Sequence, residues 1–171
     1  MVRGTHLAVL AAACACSGCG HASGDASQSS AQQARIGRQA PNWTEPSLPG
    51  PKLSFSSLRG KAVYLNFFAT WCPPCNEEAP SIEALAHEYG PLGLQVVGVD
   101  VLENARKAAS FRNAHHLSYP IVVDDGTLRD QYSVNGLPVH VFIDRNGTLR
   151  KIVVGELSPA GILANVEPML R

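Results

Sequence analysis

Residues 61–68 (KAVYLNFF) are apolar at six of eight positions and end three residues before a Cys-Pro-Pro-Cys quartet at 72–75. Aromatic and β-branched side chains in a run of this length suit a strand covered on both faces. Just after the quartet, Ala79, Ile82, Leu85, Ala86 and Tyr89 recur at helical spacing, with Glu77, Glu78, Glu83 and Glu88 between them. Gly90-Pro91 ends that pattern. A two-sided strand leading at once into an amphipathic helix demands a layered α/β architecture, and it sets both sulfurs at the junction.

The rest of the chain continues the alternation. Residues 94–100 (LQVVGVD) are a second strand-like run, and 103–116 predict a helix with Ala108, Phe111 and Leu117 near one face. A short strand at 121–123 and a short helix at 127–132 follow. Residues 140–143 and 149–154 read as strands joined by Asp144-Arg145-Asn146-Gly147, where Asn-Gly is a strong hairpin signal. Residues 158–170 predict a closing helix capped by Ser158, with Pro159 at its first position. Upstream, residues 43–57 carry three prolines and short extended pieces, as in a small hairpin at an edge. The expected fold is a mixed central sheet with helices on both faces and an N-terminal hairpin extension.

At 171 residues, 45% apolar and 16% charged, the chain has the makings of one packed domain. Fourteen basic and fourteen acidic residues cancel, which argues against a nucleic-acid partner. The five cysteines fall into two groups: Cys14, Cys16 and Cys19 near the start, and Cys72 with Cys75. Neither a disulfide framework nor a four-cysteine zinc site is available in the body. Arg3, the apolar residues 7–13 and the small residues after them read as an export signal over residues 1–19. Leu10-Ala11-Ala12-Ala13-Cys14 fits a lipoprotein-type signal, Cys16 ranks with Cys14, and Cys19 follows closely. An ordinary cleaved signal without lipid is the alternative. Residues 20–40, rich in Ser, Gln, Ala and Gly, predict a flexible tether, and residues 41–171 the domain.

The quartet carries the chemistry. Cys72 falls at a helix N-terminus, where free N–H groups and the helix dipole favour a thiolate. Such a setting lowers a thiol pKa from about 8.5 to roughly 3.5–7.5. Cys75, one turn on, on the same side and deeper in the helix, is placed to attack a mixed disulfide formed at Cys72. Pro73 and Pro74 bring no N–H to the sulfur, which leans the pair toward a reductant. Two cysteines supply only half the ligands of a usual zinc site. His140, within a strand pattern, reads as a structural side chain, and His115-His116 end a helix, where a cation is favoured.

The segment 66–75 (NFFATWCPPC), with Gly60-Lys61 before it and Glu78-Ala79-Pro80 after it, resembles the active site of the thioredoxin superfamily. Gly98-Val99-Asp100, Gly136-Leu137-Pro138, Phe142-Ile143-Asp144 and Asn146-Gly147 extend the likeness over residues 37–171, specifically to extracytoplasmic TlpA/ResA-type thiol–disulfide oxidoreductases. The resemblance implies a thioredoxin-like three-layer fold and a reaction without organic cofactor or metal, its electrons residing on Cys72 and Cys75. It implies a cis Pro138 beside the cysteines, and with Leu137, Trp71, Pro73 and Pro74 this proline would form the client-binding surface. Glu78 matches an acid that influences thiol titration, and Asn66 stands where thioredoxin has a buried Asp. Val139 and His140 depart from the family pattern, which often has Thr there.

The resulting expectation is an extracytoplasmic enzyme held at the outer face of a bacterial cytoplasmic membrane. It would reduce exported proteins with disulfides, apocytochromes c among them, and be recharged by a membrane thiol reductant. A copper metallochaperone using Cys72, Cys75 and His140 is the alternative from the binding class. A peroxidase of the same superfamily ranks low, because Ala69 stands three residues before Cys72 where a Thr-rich pocket is needed.

Overall fold

The computed structural model describes Met1, residues 33–50 and residues 52–171. The lipidation candidates Cys14, Cys16 and Cys19, the rest of the expected signal after Met1, and most of the expected tether lie outside the described residues. In chain order the strands are β1 (Thr44–Glu45), β2 (Ser47–Leu48), β3 (Leu53–Ser54), β4 (Ala62–Phe68), β5 (Leu94–Val101), β6 (Ile121–Asp124), β7 (Val139–Ile143) and β8 (Leu149–Val154). The helices are α1 (Pro73–Tyr89), α2 (Ala105–Ala114), α3 (Thr127–Gln131) and α4 (Pro159–Val166).

Six strands form one sheet in the order β2-β6-β5-β4-β7-β8. β4, β5 and β6 are mutually parallel, whereas β2, β7 and β8 run antiparallel to their neighbours. β1 and β3 pair separately as the expected hairpin extension. All seven residues of β4 are buried, and they alternate between two cores. Ala62, Tyr64 and Phe68 join the core under α1, α2 and α4, and Val63, Leu65 and Phe67 join the one that includes Leu128 of α3. The expected mixed sheet with helices on both faces is therefore the observed architecture.

Packing immediately behind the cysteine loop is tight. Phe68, the last residue of β4, stacks on Phe111 of α2 with ring centroids 4.4 Å apart. Gly98 of β5 makes room for it: a Cβ there would stand 3.1 Å from Phe68 Cε1 and 3.2 Å from Ile121 Cγ1.

Two boundaries differ from expectation. The body reaches upstream of residue 41: Ala34 N donates to Gln131 O at 2.9 Å, Gly37 N to Leu149 O at 2.8 Å and Ala40 N to Gly147 O at 2.9 Å. Backbone bonds of this kind need no apolar side chain, so composition does not reveal them. The closing helix breaks after Val166 into a 3-10 turn at Glu167–Met169. Pro168 lacks the N–H that would continue the α-helical ladder.

Candidate active site

β4 delivers the chain to a four-residue loop, and α1 begins at Pro73 with Cys72 as its N-cap. Cys72 is extended (φ −84°, ψ 111°), and its Sγ accepts from Cys75 N at 3.4 Å. Pro73 and Pro74 leave that amide as the nearest one in the helix able to donate. The two sulfurs are joined in a disulfide, with Cα atoms 5.3 Å apart. Cys75 lies further into the helix than the capping Cys72, as expected, and both are buried, Cys72 at 3% exposure and Cys75 at 2%. Both sulfurs lie close to the short helical connection because one turn of helix stacks residue 75 over residue 72.

Side chains missed at the sequence level fix the loop from two sides. Asn76 Nδ2 donates to Cys72 O at 2.8 Å and to Thr70 O at 3.1 Å, and its Oδ1 lies 3.0 Å from His115 Nε2. His115 packs on Phe111, and burial lowers its pKa, with His116 adding to the effect. That disfavours the helix-end cation expected there. From the other side Glu103 accepts from Thr70 N at 2.6 Å and Thr70 Oγ1 at 2.9 Å, while Lys107 Nζ approaches within 2.9 Å. Burial pushes the Glu103 carboxyl up, but bonds from Thr70 and Lys107 outweigh it and hold its pKa below the usual value. Glu103 is free to do this because α2 starts later than expected, capped by Asn104.

Glu78 is buried, one helical turn after Cys75. Its Oε1 accepts from Leu157 N at 2.5 Å and lies 3.5 Å from His140 Nε2, while Oε2 is buried without a partner. His140 is fully buried: Nδ1 is 2.7 Å from Tyr64 Oη, and Nε2 is 3.1 Å from Gly155 O. Tyr64, His140 and Glu78 thus form one buried polar chain running from β4 through β7 to α1. Burial, with Glu78 next in effect, raises the Tyr64 pKa well above its ordinary value and keeps the hydroxyl protonated. The structural role expected of His140 is what the contacts describe. The copper set is not assembled: among the described residues the one trio of His, Cys, Asp or Glu donors close enough for a single ion is Glu45, Asp124 and Asp125. His140 has both ring nitrogens engaged elsewhere.

On the solvent side, the Leu137–Pro138 peptide is cis. Trp71, 66% exposed, and Leu137 come together in a depression of about 170 Å³ that Val101, Leu102 and Val134 also line. Pro73 is exposed and Pro74 half-buried at the helix start, whereas Pro138 is buried and Leu137 half-buried. An apolar shelf with an exposed indole beside a disulfide suits contact with another polypeptide.

Residues 36–152 match the AhpC/TSA family. The chain is 34% identical over 126 residues to thiol-disulfide oxidoreductase ResA of Bacillus cereus, covering 73% of each protein. Its fold is similar to a thiol:disulfide interchange protein of the thioredoxin family from Chlorobium tepidum TLS. That match has a TM-score of 0.74 and 29% identity, over 81% of this chain and 99% of the other. It is also similar to a secreted Mycobacterium tuberculosis disulfide oxidoreductase homologous to E. coli DsbE. There the TM-score is 0.68 and the identity 28%, over 74% of this chain and 95% of that one.

Proposed function

The chain belongs to the AhpC/TSA family and is a thiol–disulfide oxidoreductase of thioredoxin-like fold, and from that premise we propose that it is an extracytoplasmic reductant of exported cysteine proteins. The reduced Cys72 thiolate attacks one sulfur of a client disulfide, forming a mixed disulfide and releasing a client thiolate. Cys75 then loses its proton and attacks Cys72 Sγ, which closes the intramolecular disulfide and frees the second client thiolate. Two electrons pass to the client, and the pair needs no organic cofactor. A membrane thiol reductant restores the dithiol.

Glu78 tunes the titration of the pair, and Pro138 with Leu137, Trp71, Pro73 and Pro74 presents the client. The Trp71–Leu137 shelf beside the sulfurs supports that reading. The leader-like residues 1–19 support export, with lipid attachment at Cys14, Cys16 or Cys19 holding the domain at the outer face of the cytoplasmic membrane. Apocytochromes c are a fitting client class, since they are exported with paired cysteines.

One observation carries the assignment as reductant rather than oxidant: Cys72 Sγ accepts a single helix amide, from Cys75, because Pro73 and Pro74 have none. A strong oxidant needs its thiolate stabilised far more than this. Equilibrating the protein against glutathione measures the balance. A potential more negative than about −180 mV is expected, whereas a value near −120 mV, typical of strong oxidants, would reverse the proposed direction of electron flow.

A further inference from the structure

Asp100 is an anomaly at the end of β5. It is fully buried, and neither carboxyl oxygen has a hydrogen-bond donor. Its register partner is Phe68, the last residue before the cysteine loop. The acid facing it is Glu103, which is itself holding Thr70 through both oxygens. Two ionised carboxylates side by side in such a place would repel each other with little solvent to screen them. One proton shared between them removes the repulsion and gives Asp100 a donor role.

We propose that Asp100 and Glu103 form a proton-sharing carboxyl pair that holds Thr70, and through it the loop presenting Cys72, so that both are positioning residues for the exchange reaction. The Asp100 hydroxyl donates to Glu103. Glu103 keeps its charge, balanced by Lys107, and directs its remaining lone pairs at Thr70 N and Oγ1. Burial first, then repulsion from Glu103 and the bond shared with it, raises the Asp100 pKa to about 8, with Lys107 opposing. The proton is therefore in place at neutral pH. As pH rises through about 8 it is lost, the second charge appears, and the hold on Thr70 loosens. The proposal rests on Cys72 as the attacking thiol only for its catalytic consequence; the grip on Thr70 is a separate, directly readable fact.

The amide resonance of Thr70 in the oxidised full-length chain reads that grip, since the cysteines do not titrate in the disulfide. The wild-type shift is expected to step at a midpoint near 8. Asp100→Asn keeps a donor that cannot ionise, so its shift should hold the low-pH position across the range. In turnover assays at pH 7, Asp100→Leu is expected to lower kcat by at least about tenfold with little change in KM. Asp100→Asn should restore kcat to within about twofold of wild type. A flat wild-type titration, a step that persists in Asp100→Asn, or equal kcat losses in the two variants would overturn the proposal. If Asp100→Leu does not fold, the Thr70 titration of wild type and Asp100→Asn decides alone. Loss of client exchange in Cys72→Ser, with Thr70 behaving normally, belongs to the catalytic assignment instead.

Discussion

A Cys75→Ser chain is expected to accumulate as covalent adducts with its clients, and a Cys72→Ser chain to form none. The reasoning is positional. Cys72 caps α1 and its sulfur accepts from an amide of the first turn, a location where a sulfur anion, once the disulfide is reduced, meets an oriented N–H group. Cys75 sits within the helix and can reach Cys72, as their disulfide demonstrates. Without the resolving thiol, the mixed disulfide at Cys72 has no intramolecular route to release. Turnover with a disulfide substrate and recycling dithiol should fall by at least about 10³-fold in Cys72→Ser. Non-reducing gels of cells producing Cys75→Ser, followed by identification of the attached proteins, give the second readout. Exported proteins with paired cysteines should dominate. Adducts that form equally well in Cys72→Ser would contradict the assignment of Cys72 as the attacking sulfur, and adducts in Cys72→Ser alone would invert the two roles.

The largest stability effect is expected at His140, outside the reacting atoms. His140→Ala should destabilise the oxidised protein by about 3–5 kcal/mol. Three losses combine there: a cavity at a fully buried site, a Tyr64 hydroxyl without its partner at 2.7 Å, and a Gly155 carbonyl without its donor. Glu78 also loses the ring nitrogen 3.5 Å away, leaving it one backbone amide. Tyr64→Phe, which removes one hydroxyl and no ring, should cost only about 1 kcal/mol. Urea unfolding at fixed pH checks both. A loss below about 1 kcal/mol for His140→Ala would mean that the polar chain contributes little and that its members find other partners.

Much of this was legible in the amino-acid order because its signals are local. The run at 61–68, the spacing of Ala79, Ile82 and Leu85, and Asn146-Gly147 each predict an element from a few neighbouring residues, and each element is found. The cysteine pair and Pro138 were readable as motifs, and the Leu137–Pro138 bond is cis as the resemblance implied. What stayed hidden depends on residues distant in the chain. Glu103 finds Thr70 across 33 positions, and His140 finds Tyr64 across 76. No periodicity records such pairings. Asn76 had a weak signal, as an amide side chain directly after Cys75, where the first turn leaves loop carbonyls within reach. The docking of residues 34–40 had little, because it runs mainly through backbone groups, helped by Gln39 Nε2 donating to Asn146 O at 3.1 Å and by the small side chain of Ala40 entering the core.

The role proposed for Cys72 is that of a sulfur made anionic, once reduced, by the start of α1. It is tested most directly by following the rate at which iodoacetamide alkylates the reduced protein as pH is varied, with the modified residue identified at each point. Labelling is expected at Cys72 first, with a midpoint below the free-thiol value of about 8.5 and toward the upper end of the roughly 3.5–7.5 range of helix-capping thiols, given the two prolines. A midpoint at or above about 8.5, or Cys75 labelled ahead of Cys72, would contradict it.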